Sequence, residues 1–406
     1  MELRTIESNK LKGKKVLVRV DFNVPMDEGR VADDTRIRAH LETLELLRRS
    51  GARIALVSHL GRPGGKVSPG LSLFPVARSL EDLTGWRIFF CEECVGDKIS
   101  ATIGSMGEGQ ICLLENVRFH PEEEANDPVF ARKLGKPFDV FVMDAFSAAH
   151  RGHASTEGVT RFLPSFAGKL MEKEVSVLSA VKENPKRPMV LILGGAKVSD
   201  KIGFIRNMLE KADVMLIGGA MAFPFLKASG VNVGKSFCEK GTETVALEIM
   251  KTANMTGVRI LLPLDLVAST SLENDPKKML VRSDAIPEDM MGLDIGPETA
   301  GLFSAEVLKG ETILWNGPLG LFEREPFGEG TQMVGLSVVE RTSEGALSVL
   351  GGGDTAAAAN LLGFAKGIYH ISTGGGATLE FFEGKGLPGI TPLLACLKSG
   401  RGVEPL

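Results

Sequence analysis

Short runs of apolar and β-branched residues alternate with longer amphipathic segments along almost the whole chain. This alternation is typical of parallel sheets whose strands are connected by helices. In the first half, strands are predicted at Lys15–Val20, Arg53–Val57, Arg87–Phe90, Ile111–Leu114 and Val140–Met143. In the second half, they are predicted at Met189–Leu193, Val214–Ile217, Arg259–Leu262, Thr312–Trp315, Ala346–Leu350 and Tyr369–Ser372. The helices predicted between them include Asp34–Arg49, Asp200–Lys211, Pro297–Leu308 and Asp354–Phe364. The pattern therefore predicts an α/β fold with doubly wound, Rossmann-like parallel sheets.

A break near the middle of the chain predicts two such domains joined by a helix. Apolar residues recur at helical spacing over 171–181, and the prolines within Asn184–Pro188 end that helix before the next strand. A chain of 406 residues is long enough to bury two separate cores. We therefore expect an N-terminal domain over 1–170, an interdomain helix and hinge over 171–188, a C-terminal domain over 189–386, and a tail over 387–406 that packs back on the N-terminal domain.

The charge balance gives no reason to expect nucleic-acid or membrane binding, because 47 Lys and Arg residues stand against 51 Asp and Glu residues. The longest apolar stretch, Ala212–Leu226, is interrupted by glycines and by Pro224 and is too short to span a bilayer. The N-terminal segment has no apolar signal core, so a cytoplasmic location is expected. No long apolar stripe argues for an oligomer, so we expect a monomer.

The cysteines form neither a disulfide pattern nor a complete zinc pattern. Cys91 and Cys94 have the spacing of half a zinc site, but no second pair with that spacing exists. We therefore expect reduced thiols that are buried or half-buried, with metal or redox use as the lesser alternative. The remaining cysteines are Cys112, Cys238 and Cys396.

The segment Gly194–Lys201, of sequence GGAKVSDK, directly follows the predicted buried strand Met189–Leu193. Paired glycines at a strand end let backbone N–H groups approach an anion closely. Lys197 and Lys201 are four residues apart, so they are expected on one face of the helix that follows. This combination indicates phosphate binding. A near match to a Walker A loop lies at Gly230–Ser236, but it is one residue short, and we interpret it as a loop after a helix.

Cationic side chains follow the predicted strands of the first half. In doubly wound sheets, ligands bind beyond the carboxyl ends of the strands, so these residues are candidates for a site. Arginine makes charge-assisted contacts with phosphate and carboxylate groups, each worth about 1.5–3 kcal/mol. The sequence therefore predicts a site for a compact small molecule with several negative charges. The candidate residues are Asp21, Asn23, Arg36, His59, Arg62, Arg118, His150 and Arg151.

Glycine-rich turns follow the predicted strands of the second half. Glycine removes side chains where a flat base and a phosphate chain lie against the backbone. The sequence GGGDT opens a helix whose N–H groups can bind phosphate, and its Asp354 offers a carboxylate to a hard cation such as Mg²⁺. These turns predict a nucleotide site. They are Gly194–Lys197, Gly218–Gly219, Asn316–Pro318, Gly351–Thr355 and Gly374–Gly376.

Longer motifs occur along the chain in a fixed order. They are RVDFNVP (Arg19–Pro25), SHLGRP (Ser58–Pro63), LLENVRFHPEEE (Leu113–Glu124), DAFSAAHR (Asp144–Arg151), GGAKVSDK, WNGPLGLFE (Trp315–Glu323), GGGDT and STGGGA. With these motifs the chain resembles the phosphoglycerate kinase family over essentially its full length. One departure is Ser147-Ala148, which stands where Gly-Thr is common in that family.

The resemblance implies a role for each matching residue. The N-terminal domain would bind 3-phosphoglycerate or 1,3-bisphosphoglycerate, and the C-terminal domain would bind ADP or ATP. Arg36 and Lys197 would be the catalytic residues, and Asp354 would hold Mg²⁺. The implied residues for the acidic substrate are Asp21, Phe22, Asn23, Arg36, His59, Leu60, Gly61, Arg62, Arg118 and Arg151. The implied residues for the nucleotide are Gly194, Lys197, Lys201, Gly218, Gly219, Asn316, Pro318, Glu323, Gly352, Gly353, Asp354 and Thr355.

The resemblance also implies a reaction, the reversible, Mg²⁺-dependent transfer of a phosphoryl group from 1,3-bisphosphoglycerate to ADP. This glycolytic transfer would be direct and in line, and domain closure would bring the substrates together. A dehydrogenase is a weaker alternative, because Gly194–Ser199 lacks the glycine spacing of a dinucleotide-binding turn. A non-catalytic sensor is also weaker, because it would not need Arg36, two lysines and a metal carboxylate together.

Overall fold

The structure, a computed structural model, describes residues 1–6, 10–272 and 278–395. Cys396 and the predicted tail beyond residue 395 lie outside these described residues. The chain divides into two compact units. Unit 1 comprises Met1–Ser176 and the chain from Gly386 onward, and unit 2 comprises Val177–Lys385. Among the described residues, no helix has both the length and the apolar character that crossing a bilayer requires.

Unit 1 contains a six-stranded sheet and a two-stranded hairpin. Its strands are β1 (Lys15–Arg19), β2 (Met26–Asp27), β3 (Arg30–Val31), β4 (Arg53–Val57), β5 (Ile88–Cys91), β6 (Ile111–Leu114), β7 (Val140–Met143) and β8 (Ser165–Ala167). Its helices are α1 (Thr35–Ala39), α2 (Leu41–Arg49), α3 (Phe74–Thr84), α4 (Asp97–Ser105), α5 (Pro121–Glu124), α6 (Pro128–Gly135) and α7 (Lys169–Glu183). The division between the two units falls within α7.

The sheet of unit 1 has the order β5-β6-β4-β1-β7-β8, and its neighbouring strands are all parallel. The chain moves from β1 to β4 on one side and later returns to β7 on the other side. The strand order therefore reverses at β1, as in doubly wound sheets. Strands β1, β4 and β7 are buried at nearly every position because the sheet is covered on both faces.

The single helix predicted over Asp34–Arg49 is wrong in one respect, because the structure contains two helices there. Helix α1 ends at Ala39 and α2 begins at Leu41. His40 lies between them, and its side chain is almost completely buried. Both of its ring nitrogens form hydrogen bonds to groups outside these helices. The helical periodicity of the sequence is kept on both sides of this break, so the pattern alone does not reveal it.

Unit 2 contains a six-stranded sheet and a separate three-stranded sheet. Its strands are β9 (Met189–Leu193), β10 (Val214–Ile217), β11 (Arg259–Leu261), β12 (Asp265–Ser269), β13 (Lys278–Arg282), β14 (Met291–Ile295), β15 (Thr312–Asn316), β16 (Leu347–Gly351) and β17 (His370–Ile371). Its helices are α8 (Ile202–Leu209), α9 (Ala222–Ala228), α10 (Glu243–Thr256), α11 (Pro297–Val307), α12 (Glu329–Ser343), α13 (Gly353–Leu361) and α14 (Gly376–Phe382).

The larger sheet of unit 2 has the order β11-β10-β9-β15-β16-β17, with all neighbouring strands parallel. This is the doubly wound arrangement that the sequence predicts, with its switch point between β9 and β15. The antiparallel sheet of β13, β12 and β14 was not predicted. Strand β13 is exposed at most positions and β14 contains Gly292 and Asp294, so neither shows the apolar run of a buried strand.

Two further segments bear on the sequence predictions. Residues 230–236, the near match to a Walker A loop, follow helix α9 and form a loop, as predicted. The described part of the C-terminal tail packs against unit 1. There, Leu394 forms a β-bridge with Leu3, and the Gly389 N–H donates to the Ala149 carbonyl oxygen at 2.8 Å.

Candidate functional site

The carboxyl ends of β1, β4 and β7 meet at one edge of the sheet in unit 1. Arg19, the last residue of β1, pairs with Val57 of β4 and with Met143 of β7. Because these strands are parallel and in register, the polar residues that follow them lie at the same edge. These residues are Asp21 after β1, His59 after β4 and Asp144 after β7.

Asp21 is the hydrogen-bonding centre of this edge. Arg36 Nη1 donates to Asp21 Oδ2 at 2.6 Å, and the Ser147 hydroxyl donates to the same oxygen. The Asn23 backbone N–H donates to Asp21 Oδ1 at 3.2 Å. Burial would raise the pKa of this carboxyl, but the Arg36 guanidinium and other nearby groups lower it below its ordinary value. An ionised Asp21 therefore orients Arg36, whose side chain is 41% exposed and so remains accessible to a ligand.

The other predicted arginines of unit 1 differ in their exposure. Arg118 is buried, and its Nη1 donates to the Gly61 carbonyl oxygen at 2.9 Å. The Gly61 N–H in turn donates to Asn23 Oδ1 at 2.8 Å, so the predicted loops are tied to one another. Arg151 is half-buried and its Nε donates to His150 Nε2 at 3.2 Å, whereas Arg62 is exposed. The structure thus brings several cationic groups to one rim.

Phe22 and Leu60 belong to the core of unit 1 and not to its surface. The Phe22 side chain is fully buried and Leu60 is nearly so. The Phe22 N–H donates to the Ser58 hydroxyl oxygen at 2.9 Å, which connects the loops after β1 and β4. These two residues could therefore meet a ligand only through their backbone.

His40 and Asp144 form a buried pair that we did not predict as part of the site. His40 Nε2 accepts a hydrogen bond from the Asp21 backbone N–H at 2.9 Å, so its ring proton lies on Nδ1. His40 Nδ1 then donates to Asp144 Oδ2 at 2.7 Å, and Asp144 Oδ1 accepts from the Leu170 N–H at 3.0 Å. A chain of hydrogen bonds therefore connects the Asp21 loop to the first turn of α7. The available signal was a histidine within the apolar stripe of a predicted helix.

In unit 2, the loops after β9 and β15 touch at the switch point of the sheet. Leu193 and Asn316, the last residues of these strands, are register partners. A Cβ atom on Gly194 would lie 2.1 Å from the Pro318 carbonyl oxygen, so only glycine fits there. Gly317 has a φ of +94°, and a Cβ on it would lie 2.2 Å from the Gly194 carbonyl oxygen. Backbone therefore packs directly on backbone, as the glycine-rich strand ends suggested.

The Lys201 side chain is half-buried beneath this contact. Its Nζ donates to the carbonyl oxygens of Gly194 at 2.7 Å and of Asn316 at 3.1 Å. Burial lowers the pKa of Lys201 to about 8, although the Asp354 and Asp200 carboxylates act to raise it. Lys197 is exposed and precedes the short 3-10 turn Ser199–Lys201. The expectation that both lysines lie on one helix face is therefore wrong, because the chain is not yet helical at Lys197.

Both lysines nevertheless line one open cavity of about 340 Å³. Helix α13 begins beside it, and the Thr355 hydroxyl holds the cavity floor by accepting from the Gly317 N–H at 2.7 Å and donating to the Gly351 carbonyl oxygen at 2.8 Å. The cavity is lined by Gly195, Ala196, Lys197, Asp200, Lys201, Asn316, Gly317, Gly352, Gly353, Asp354, Thr355, Gly375, Gly376 and Leu379.

The cavity offers few protein ligands to a metal ion. Asp354 is exposed at the start of α13, and Asp200 lies on the same cavity wall. Among the described residues, no group of three or more His, Cys, Asp or Glu side chains could hold a metal. One or two carboxylates suit Mg²⁺ that arrives with nucleotide phosphates, because Mg²⁺ keeps several phosphate and water oxygens as ligands. The donor set therefore fits Mg²⁺ bound to a nucleotide.

The remaining predicted nucleotide residues, Gly218, Gly219, Pro318 and Glu323, are not among those that line this cavity. Gly218 and Gly219 follow β10, and a Cβ on Gly219 would lie 2.9 Å from the Pro318 carbonyl oxygen. These glycines and Pro318 therefore belong to the same backbone contact as Gly195. Glu323 is exposed in the loop after β15 and is not part of the cavity lining.

The predicted thiols are a separate feature. Cys91, Cys94 and Cys112 are buried, Cys238 is half-buried, and none of them forms a disulfide. Cys94 Sγ donates to the Glu115 carbonyl oxygen at 2.7 Å. The Cys91-Cys94 segment thus packs into unit 1 at strand β5.

Comparison with known proteins agrees with these observations. The phosphoglycerate kinase family model matches residues 6–385. The chain is 50% identical over 389 residues to phosphoglycerate kinase of Moorella thermoacetica, covering 96% of this chain and 98% of the relative. It is 48% identical over 395 residues to that of Chlorobium phaeobacteroides, covering 97% and 100%.

Solved structures show the same similarity. Phosphoglycerate kinase from Coxiella burnetii superposes with a TM-score of 0.86 at 38% identity, covering 97% of this chain and 99% of the other. Phosphoglycerate kinase from Pyrococcus horikoshii superposes with a TM-score of 0.83 at 32% identity, covering 96% and 98%.

Proposed function

Because the chain belongs to the phosphoglycerate kinase family, we propose that it catalyses the reaction of that family. This reaction is the reversible, Mg²⁺-dependent transfer of a phosphoryl group from 1,3-bisphosphoglycerate to ADP, giving 3-phosphoglycerate and ATP. The chain is then an enzyme of glycolysis and gluconeogenesis, a phosphotransferase whose acceptor is a carboxyl group. We propose that it works in the cytoplasm as a monomer.

The acidic substrate is proposed to bind at the sheet edge of unit 1. The observation that carries this assignment is the Asp21–Arg36 ion pair, which holds a partly exposed guanidinium at the edge of the sheet. Arg118 and Arg151 lie close enough to each other to interact electrostatically. A molecule with a phosphate and a carboxylate requires several cations. Their positive charge must exceed what the nearby protein carboxylates neutralise. His59, Asn23 and Arg62 would complete the set of contacts, together with the backbone of Phe22, Leu60 and Gly61.

The nucleotide is proposed to bind in the cavity of unit 2. Its phosphates would meet the backbone N–H groups of Gly352 and Gly353 and the lysines at 197 and 201. Asp354 would hold the Mg²⁺ ion, which neutralises charge on the phosphate oxygens when it is bound. The nucleoside would extend toward Gly218, Gly219, Asn316 and Pro318, with the ribose near Glu323.

The proposed chemistry depends on positioning and charge and needs no general base. In the direction of ATP consumption, the attacking carboxylate of 3-phosphoglycerate is already ionised. Arg36 and Lys197 would neutralise charge on the phosphoryl group as it moves in line between the two substrates. No covalent enzyme intermediate is proposed, because the predicted site residues include neither a Ser/His/Asp nor a Cys/His arrangement.

We propose that the two units close on their substrates. The acidic substrate and the nucleotide are assigned to different units, so transfer requires the units to approach each other. Closure would also exclude water, which hydrolyses acyl phosphates. The proposed hinge is the segment Lys169–Pro188, which contains helix α7 and the boundary between the units.

A coupled assay for ATP consumption tests the proposed function. Purified protein with ATP and Mg²⁺ is expected to release ADP only when 3-phosphoglycerate is present. A sensor would bind both molecules without turnover, and a dehydrogenase would change nicotinamide absorbance without consuming ATP. Absence of 3-phosphoglycerate-dependent ADP release from folded protein would overturn the proposal. The matched control is Glu122→Gln, an exposed carboxylate outside the proposed sites, which should keep the activity.

A further inference from the structure

A buried chain of hydrogen bonds runs beneath the proposed substrate rim of unit 1. Arg19 Nε lies 2.9 Å from the Ser155 hydroxyl oxygen, which lies 2.6 Å from Glu123 Oε1. At the other end, Arg19 Nη2 lies 3.1 Å from His59 Nδ1. Arg19, Ser155 and Glu123 are each at most 1% exposed. Of these four residues, only His59 is a predicted substrate contact.

The donors and acceptors in this chain are fixed by chemistry. A guanidinium can only donate, so Ser155 Oγ must accept from Arg19, and its own proton must point to Glu123. For the same reason His59 Nδ1 must be an acceptor and carries no proton. The ring proton of His59 therefore lies on Nε2. Glu123 Oε2 also accepts from the Ser155 backbone N–H at 2.9 Å, which fixes the serine against the carboxylate.

We propose that Glu123, Ser155 and Arg19 are positioning residues that hold His59 as a neutral ring with its proton on Nε2. His59 then offers the acidic substrate a hydrogen-bond donor of fixed direction. This inference rests on the proposed function, because it concerns the same substrate. It assigns the ring as a neutral donor and not as a further positive charge on a rim that is already cationic.

The electrostatics of the edge support this assignment. Burial lowers the pKa of His59 well below its ordinary value, and the Arg19 guanidinium lowers it further. Glu123 supplies the negative charge that makes a buried arginine tolerable, and it acts to raise the pKa of Arg19. The Asp21 carboxylate acts to raise the pKa of His59, but burial and the nearby arginines outweigh it, so the neutral ring is the favoured form.

Stability alone does not explain why these groups are buried. Replacing a buried ion pair by apolar residues of similar volume is often neutral or stabilising in proteins. A purely structural role would also not require the Arg19 guanidinium to donate to the ring nitrogen of His59, a residue that is proposed to bind the substrate. The hydrogen bonds run from the buried Glu123 carboxylate toward His59 at the rim. This direction is consistent with a role in orienting the His59 ring.

The variant Ser155→Ala interrupts the chain without removing either charge. We expect the KM for 3-phosphoglycerate to rise about tenfold, because a donor to an ionised ligand is no longer held in place. We expect kcat and the KM for ATP to change less than about twofold, because the nucleotide is assigned to unit 2. Ser155→Thr keeps the hydroxyl and should restore the lower KM. Glu122→Gln, exposed on the same short helix as Glu123, is the matched control.

The second measurement is the ¹⁵N NMR spectrum of the full-length protein labelled at histidine, with His59→Gln used for assignment. In the unsubstituted protein, His59 should show an unprotonated Nδ1 and a protonated Nε2. Ser155→Ala should broaden these signals or mix the two tautomers. Glu123→Gln, which keeps the shape of the carboxylate but removes its charge, is the second variant if Ser155→Ala does not fold.

A proton on Nδ1 in the unsubstituted protein would overturn the inference. So would a folded Ser155→Ala variant that keeps both the tautomer and the KM. If the unsubstituted protein consumed no ATP, the proposed function would fail, whereas the NMR spectra would still decide whether Arg19 fixes the ring.

Discussion

Lys201 is expected to destabilise unit 2 at neutral pH, and to do so less as the pH rises. Burial lowers its pKa from 10.5 to about 8 in the folded protein. Between these two values, the unfolded chain binds more protons at Lys201 than the folded protein does. The contribution of Lys201 to the free energy of unfolding therefore increases with pH across this window. The cost of neutralising Lys201 on folding disappears above the unfolded pKa.

The size of the effect follows from the two pKa values. Integration of both titrations gives a penalty of about 3 kcal/mol at pH 7 and about 1.5 kcal/mol at pH 9.5. The contribution of Lys201 should therefore become more favourable by about 2 kcal/mol over this range.

The assay compares the lysine with an uncharged side chain of similar length. Lys201→Met and the unsubstituted protein are unfolded with urea at several values between pH 7 and 9.5. The chain has two tryptophans, so Trp86→Phe in both proteins leaves Trp315, buried in the core of unit 2, as the only tryptophan reporter. Subtracting the two free energies of unfolding cancels the titration of all other groups.

We expect the free energy of unfolding of the unsubstituted protein, relative to that of Lys201→Met, to increase by about 2 kcal/mol as the pH rises. A difference that stays constant across the range would refute the conclusion that Lys201 is a desolvated amine. A shift of opposite sign would mean that the folded protein favours the charged form. Lys251→Met, at an exposed position on α10, is the matched control for loss of a lysine in unit 2.

Three further predictions concern turnover and binding. Arg36→Ala and Lys197→Ala should each lower kcat on the order of 10²–10³-fold with little change in nucleotide Kd, and collapsed nucleotide binding with retained turnover would contradict these roles. Asp354→Ala should raise the Mg²⁺ concentration needed for half-maximal rate, whereas an unchanged Mg²⁺ dependence would exclude the metal role. Gly194→Ala should abolish nucleotide binding in calorimetry but preserve 3-phosphoglycerate binding. The reason is that its Cβ would lie 2.1 Å from the Pro318 carbonyl oxygen. Normal nucleotide binding by this variant would refute the packing argument.

The buried parallel strands could be predicted because their sequences are nearly uninterrupted apolar runs. Met189–Leu193 and Val140–Met143 have in the structure the bounds that were predicted. The signal is strong because both faces of such strands must be apolar. The strands at the sheet edges are less regular, so the predicted strand Tyr369–Ser372 is reduced to His370–Ile371.

The antiparallel sheet of unit 2 could not be predicted in the same way. Only Val281 is buried in β13, and an isolated buried residue gives no period. Strand β12 pairs with β14 across an irregularity at Val267 and Ala268, which interrupts the alternation of faces. Pairing among three consecutive strands, and not the composition of each one, defines this sheet.

The residues proposed to contact a ligand carry a clearer sequence signal than those proposed to orient them. Arg36 and Asp21 follow a predicted strand, so the topology alone places them at the sheet edge. Glu123 and His40 form hydrogen bonds to residues distant in the sequence, Ser155 and Asp144. No spacing rule connects such pairs, and only the folded chain reveals which carboxylate supports which ring.

The central claim is that the acidic substrate and the nucleotide bind to different units and react only after these units close. Small-angle X-ray scattering of the full-length protein tests it most directly, with no ligand, with 3-phosphoglycerate, with Mg²⁺ and nucleotide, and with all of them together. We predict a clear decrease in the radius of gyration only when both substrates are present. Identical scattering in all four conditions, measured on protein that turns over both substrates, would contradict the claim.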